Sequence, residues 1–416
     1  MRARSRRFFE EVLHPDAYHA RPIALRHPIV FYEGHLPAFA VNTLVKWGLG
    51  QPGLDEELET LFERGIDPAS EAASPTRERW PDRARVQDFA RRADVRVEEA
   101  LGESGERHTL AVGTVLEHEL MHQETLLYML HRLPADRLRP QGARPRVHPP
   151  APTNRAVVRV PAGLATLGAA PGELAFGWDN EFPRLAVEVA GFEIDTLPVT
   201  NAEYLEFVEA GGYESPRCWD AAGWSWRAEQ GLQAPLFWES HQGRWHWRAF
   251  FETMALPLSW PVYVSHAEAS AYCRFRGRRL PTEAEFHRAA FGAPRGGERP
   301  FPWGEEPPRP GHHGNFGFVA WDPWPVGSCP AGDSAFGVRE LVGNGWEWTA
   351  STFQPFPGFT PMGSYPAYSA DFFDGQHYVL KGASPATAPE LVRRSFRNWY
   401  RPRYPYPYAK FRTVSL

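Results

Sequence analysis

The chain has little cysteine. Cys218, Cys273 and Cys329 are spread over 416 residues and form no CxxC pair. That excludes a disulfide-built scaffold and leaves small buried hydrophobes of a reducing compartment. Long apolar runs are also missing: no stretch approaches the roughly 20 residues of a membrane span. The opening MRARSRRFFEEVLHP is basic but lacks the apolar centre of a secretory signal, so a cytoplasmic protein without membrane contact is expected. Neither sign of charge dominates, with 45 Lys and Arg against 50 Asp and Glu. A nucleic-acid binder driven by phosphate neutralisation is usually basic, so no nucleic-acid partner is expected. There is no internal repeat and no low-complexity tract.

What the chain does have is 16 Trp, 41 Pro and 36 Gly. Proline at nearly twice its ordinary share of about 5% excludes a molecule made mostly of long helices. Residues 1–135 nevertheless read as helical. Gln87 to Leu101 is charged and amphipathic, and Thr109 to Leu133 carries Val112, Val115, Leu116, Leu126, Met129 and Leu130 at helical spacing. Ile29 to Leu49 and Asp55 to Arg64 supply two more helices, which suggests a four-helix bundle. Residues 136–155, rich in Pro and Arg, read as a linker. From 156 to 416 short apolar stretches alternate with Gly/Pro turns. Two helices are expected there, after Thr200 and Ser265, each with a Glu three residues on (Glu203, Glu268) to close a capping box.

The sharpest chemical signal is LEHELMHQETLL. His118 and His122, four residues apart on a helix, face the same way one turn apart and could grip a divalent metal. The same residues spell HExxH, the signature of zinc hydrolases with Glu119 as general base. That reading lacks a downstream third ligand: Thr125 stands where the longer form needs Gly, and no Glu follows Glu124 before Glu173. A third histidine, His35 in FYEGHLPAF, comes from an earlier helix. Three neutral histidines leave positions open on an octahedral metal, which suits O2 plus a chelating substrate better than a closed structural zinc. A non-catalytic ligand-binding module is the reading from a third class.

FYEGHLPAF and the HxxxH helix resemble the DinB-type bundle of the non-haem iron sulfoxide synthases of ergothioneine biosynthesis. DNEFPRLAVEV, LPVTNAEYLEFVEAGGY, WPVYVSHAEASAYCRFRGRRLPTEAEFHRAA, FPWGEE, FGVRELVGNGWEWTAS, LKGAS and RRSFRNW resemble the formylglycine-generating-enzyme fold, a C-type-lectin-like domain with little regular structure. The resemblance implies an α+β architecture in two parts. Residues after Ser384 contain no cysteine, so formylglycine generation, which needs a reactive cysteine pair near the C-terminal end, is not expected.

The resemblance further implies that His35, His118 and His122 bind Fe(II) and that Asn398 and Trp399 hold hercynine, with Met121 where the relatives have glutamine. Trp399 could offer its ring to a trimethylammonium. Where the γ-glutamylcysteine-using enzymes carry an acid and an arginine, this sequence has Tyr400 and Tyr404, in NWYRPRYPYPY. Tyrosines offer flat apolar faces with hydroxyl tips, which suit a sugar. That pattern resembles the selenoneine synthase branch, which joins a selenosugar (a 1-seleno-glucose) to hercynine with O2. Arg401 and Arg403 could instead bind the carboxylate of cysteine or γ-glutamylcysteine, leaving a thiol donor as the alternative. Tyr365 and Tyr368 are the candidates for the proton-donating tyrosine near the iron. The WEW run, Trp346 to Trp348, reads as structural.

Overall fold

A computed structural model describes residues 1–63, 80–141 and 156–416. They form two compact units, Met1–Gly142 with Met362–Pro366, and Ala143–Pro361 with Ala367–Leu416. The expected linker, 136–155, divides between them. Residues 136–141 pack into the first unit, where Leu138 bridges Leu13 and the Arg139 amide donates to the Val12 carbonyl at 2.7 Å. Residues 142–155 lie outside the described residues.

The first unit is helical. Its elements are α1 (Arg2–Arg7), α2 (Ile29–Ala40), α3 (Glu56–Leu61), α4 (Arg83–Ala100) and α5 (Glu106–Leu130). All twelve residues of α2 are buried. Such a helix meets the protein on every side, and Glu33 and His35 are buried with the rest, so no amphipathic stripe marks it in the sequence. Pro37 lies inside it, and the helix continues as a wide π-type turn over Val41–Gly48. Proline removes an intrahelical donor and crowds the preceding turn, and widened turns of this kind absorb such defects. Phe39, Ala40, Leu44 and Val45 pack on Ala93, Val97 and Ala100 of α4 and on Ala111 and Val115 of α5. Helices α3 and α4 start where the sequence supplies caps: Asp55 accepts the Leu58 amide and Asp82 the Arg85 amide. The fourth expected helix, 55–64, is short and ends at Leu61.

The second unit has little regular structure. It holds α6 (Asn201–Glu209), α7 (Ala221–Glu229), α8 (His266–Arg276), α9 (Glu283–Phe291) and the single turn α10 (Ala367–Ala370). Thr200, Ser265 and Thr282 each close a capping box, with Glu203, Glu268 and Glu285. The third box, in PTEAEF, has the same spacing as the two read from the sequence and passed unread. The strands are β1 (Val157–Val160), β2 (Gly163–Leu167), β3 (Leu185–Val189), β4 (Phe192–Asp195), β5 (Trp238–His241), β6 (Arg244–Arg248), β7 (Thr253–Ala255), β8 (Gly345–Thr352), β9 (Tyr378–Ala383), β10 (Asn398–Tyr400) and β11 (Ala409–Lys410). The main sheet has the order β10, β9, β8, β11, antiparallel except for the parallel β8–β11 pair. The remaining sheets are small, and the largest of them, over Trp238–His241, Arg244–Arg248 and Thr253–Ala255, has three strands.

Its core sits under α9, where Phe286, Ala289 and Ala290 meet Val160, Ile194, Leu341 and Val414. A buried ion cluster pins β11 to β8. Glu347, fully buried, accepts from Arg412 Nε at 2.7 Å and pairs with Lys410 Nζ at 3.1 Å. The Lys410 ammonium also donates to the carbonyls of Glu340, Gly343 and Gly345, so its charge is fully ligated, as a buried cation requires. Trp346 and Trp348 are buried and Trp348 Nε1 donates to the Val264 carbonyl at 2.9 Å. The WEW run is thus placed in the core.

Candidate metal centre

Helix α2 carries His35 and α5 carries His118 and His122, and the three bring one ring nitrogen each within 4.8 Å of one another. His35 Nε2 and His118 Nε2 are 3.3 Å apart. The other nitrogen of His35, Nδ1, donates to the Phe62 carbonyl at 2.7 Å. The ring proton is then on Nδ1 and the lone pair on Nε2, facing His118. His122 Nδ1 is buried with no hydrogen-bond partner among the described residues. Two nitrogens 3.3 Å apart are within reach of one cation bound at about 2.0–2.1 Å from each.

Burial lowers the pKa of all three rings. For His35 it outweighs the opposing Phe62 hydrogen bond and brings the value to about 4. His118 is held well below the usual range by burial, and then by His122 and His35 beside it. His122 is lowered in the same way, by burial and then by His35 and Arg26. Three neutral imidazoles are the form that binds a divalent metal without first losing protons. The donor set, three imidazole nitrogens with no closing thiolate, fits a divalent transition metal.

The walls are aromatic. Phe31 and Phe39 stand four residues before and after His35 on α2, so all three share one face. Phe31 stacks on His35 with centroids 4.9 Å apart, and Phe39 stacks on His118 at 3.5 Å. Tyr32 lies 5.8 Å from the His122 ring. These residues were not singled out from the sequence, although the F-x3-H-x3-F spacing in FYEGHLPAF was the available signal.

Glu119 is turned elsewhere. Its Oε1 accepts from Ser5 Oγ at 2.7 Å, and its Oε2 pairs with Arg2 Nη1 at 3.0 Å. Gln123, one turn on, donates to Ser5 Oγ at 3.0 Å and to the Met1 carbonyl at 3.1 Å. Glu119 and Gln123 therefore form the face of α5 that seats α1. A hydrolytic general base must reach a metal-bound water, and both oxygens of Glu119 are committed to α1. This corrects the HExxH zinc-hydrolase alternative.

Among the described residues a second group, Glu306, His312 and His313, also gathers ligand-type atoms. His313 Nδ1 accepts the Arg309 amide at 3.1 Å, which leaves the ring proton on Nε2, turned to Glu306 Oε2 at 3.3 Å. Arg309 pairs with the same carboxylate at 2.9 Å. The group is a hydrogen-bonded knot whose inner nitrogen presents a proton, not a lone pair.

The two candidate tyrosines part company. Tyr365 belongs to the first unit, edge-on to Phe39 at 5.4 Å and 6.3 Å from the His118 ring. Its neighbour Ser364 shares a 2.7 Å hydrogen bond with Thr114 of α5. Tyr368 belongs to the second unit, stacked on Trp178 at 3.8 Å. Met121, half-buried, is three residues from His118 on α5.

In the second unit Asn398, Trp399 and Tyr400 are consecutive residues of β10, so Asn398 and Tyr400 point to one side and Trp399 to the other. Phe353 covers one face of Trp399, with centroids 4.1 Å apart and planes 8° from parallel, and Tyr368 and Phe372 flank it. Tyr400 stacks in parallel on Tyr404 at 5.5 Å, and Tyr406 meets Tyr404 edge-on at 4.9 Å. Arg401 and Arg403 are exposed beside them.

Residues 144–415 match the model of the Sulfatase-modifying factor enzyme 1-like domain. A protein of Mycolicibacterium smegmatis named hercynine oxygenase is 41% identical over 294 residues, 69% of this chain and 67% of that protein, so the match spans about two thirds of that relative. The hercynine oxygenase of Mycobacterium tuberculosis is 38% identical over 387 residues, 91% of this chain and 88% of that protein. Ergothioneine biosynthesis protein 1 of Neurospora crassa is 28% identical over 481 residues, covering 95% of this chain and 54% of that protein. Among the described residues no helix is long and apolar enough to cross a membrane.

Proposed function

The chain belongs to the Sulfatase-modifying factor enzyme 1-like domain family and to the family of the hercynine oxygenases, and on that premise we propose that it is an O2-dependent non-haem iron enzyme acting on hercynine. The carrying observation is the convergence of His35, His118 and His122, all neutral and walled by phenylalanines. Bound there, Fe(II) supplies the redox chemistry with O2 that joins a chalcogen to an imidazole carbon.

The chain's own residues do the rest. Phe31 and Phe39 fix the ligand rings and exclude water from them. Asn398 and Trp399 hold hercynine, and Met121, on the ligand helix α5 itself, stands where the relatives carry a polar side chain. Only one face of Trp399 remains to meet a trimethylammonium, because Phe353 takes the other. Tyr365, beside Phe39 and His118, is the proton donor in this reading, while Tyr368 holds Trp178 and Trp399 in place.

The donor is a selenosugar, and the reaction forms a carbon–selenium bond. The support is the parallel pair Tyr400 and Tyr404. A stacked pair of phenol rings carries no charge for a zwitterionic peptide but presents an apolar wall with hydroxyl tips, as sugars favour. A thiol donor such as cysteine or γ-glutamylcysteine is the second reading, and it is favoured by exposed Arg401 and Arg403 next to that pair.

Anaerobic titration of the metal-free protein with Fe(II) tests the core of this reading. Stoichiometric uptake that His118→Ala abolishes is expected. Failure of the wild-type chain to take up Fe(II) would overturn it.

A further inference from the structure

Gly34 sits inside α2, in ordinary helical backbone and fully buried. Nothing in its dihedrals asks for glycine, and a helix-interior glycine costs roughly 0.5–1 kcal/mol relative to alanine. The reason is space. A Cβ at position 34 would lie 2.4 Å from both Cε2 and Cζ of Phe62, closer than real carbon contacts allow. The Phe62 ring is itself fully buried, 6.2 Å from the Phe31 ring and 6.0 Å from Trp80. Among the described residues these two rings and α2 bound it.

Phe62 is the residue that closes α3. Its amide still donates back to the Leu58 carbonyl at 3.0 Å, but its own carbonyl falls past the helix end, where no intrahelical amide can reach it. That carbonyl is the 2.7 Å acceptor of His35 Nδ1. The bare surface of α2 at Gly34, the seat of the Phe62 ring and the aim of the Phe62 carbonyl are thus one arrangement.

We infer that Gly34 and Phe62 are positioning residues for the metal centre: the glycine admits the Phe62 ring so that the last carbonyl of α3 takes the Nδ1 proton of His35 and leaves Nε2 free toward His118. The inference rests on the metal-site reading proposed above and adds what sets the tautomer and aim of its first ligand. A metal-bound histidine is commonly oriented by such an acceptor, and losing one typically costs 10–100-fold in affinity. Any side chain at 34 displaces the ring, and with it the carbonyl.

The test has two parts. In the metal-free wild-type protein, the imidazole nitrogen shifts of His35 by NMR are expected to show Nδ1 protonated and Nε2 bare; the opposite tautomer overturns the inference with no substitution needed. Calorimetry with Fe(II) alone, under anaerobic conditions, should then show Gly34→Ala binding 10–100-fold more weakly, with affinity largely recovered in Gly34→Ala/Phe62→Ala, which removes the ring and keeps the main-chain carbonyl. Unchanged affinity and an unchanged tautomer in Gly34→Ala would refute the inference while leaving the metal site intact. No Fe(II) uptake by the wild-type chain would instead refute the metal site.

Discussion

The ring of Phe39 lies flat on the imidazole of His118, with centroids 3.5 Å apart and planes 8° from parallel. Phe39 comes from the helix that carries His35, and His118 from the helix it packs against. The stack therefore ties the two ligand-bearing helices together at the site itself. Phe39→Ala should destabilise the fold by about 3–5 kcal/mol, as large buried truncations do, and should also weaken Fe(II) binding. Phe39→Leu should recover most of the stability but less of the affinity, because it fills space without holding the ring plane. Thermal unfolding and calorimetry on both variants separate the two effects.

Glu119 and His122 are three residues apart on α5 and differ in role. Glu119→Gln keeps an acceptor for Ser5 Oγ and loses only the charge that meets Arg2. It is expected to retain Fe(II) binding and turnover with a modest drop in stability. His122→Ala is expected to lose both binding and turnover. Loss of turnover in Glu119→Gln with the metal still bound would restore Glu119 as a catalytic group.

Tyr365→Phe and Tyr368→Phe distinguish the two tyrosines. With Tyr365 as the proton donor, its phenylalanine variant should lose roughly 100-fold or more in product formation, the usual scale of acid–base catalysis, while Fe(II) and hercynine affinities stay unchanged. Tyr368→Phe keeps the ring stacked on Trp178 and should stay within a few-fold of wild type. Equal losses in both would remove Tyr365 from that role.

Glu340 gives a pH signature in the second unit. One of its oxygens accepts the Gly327 amide at 2.9 Å, and the other is buried without a hydrogen-bond partner among the described residues. Burial lifts its pKa from 4.5 to about 7, against the pull of Lys410. Between those values the folded chain holds more protons than the unfolded one, so this group's contribution to stability falls as pH rises through the window. The stability of Glu340→Gln relative to wild type should therefore improve between pH 5 and 7.5, read from denaturant unfolding at each pH. A difference independent of pH would show that Glu340 is already ionised at pH 5.

Legibility in the sequence followed from how local each signal is. The HxxxH pair and two of the capping boxes are set by spacing within one turn, and they stand in the structure as read. His35 could be joined to them only through the family resemblance, since nothing in a helix buried on all sides shows which residue faces which neighbour. The roles of Gly34 and Phe62 were invisible because they depend on a contact between His35 and Phe62, which are 27 positions apart in the chain. Glu119 was legible as a motif and misleading as chemistry: the partners that claim it, Ser5 and Arg2, lie more than 100 positions away, and no local pattern marks them.

The most direct measurement is mass spectrometry of the product after the Fe(II)-loaded protein meets hercynine and O2 with 1-seleno-glucose, 1-thio-glucose or γ-glutamylcysteine in parallel. The stacked pair Tyr400 and Tyr404 predicts a hercynine–selenium adduct from the selenosugar, and its loss in Tyr400→Asp/Tyr404→Arg with Fe(II) binding intact. Turnover with γ-glutamylcysteine alone, unaffected by that double substitution, would contradict it.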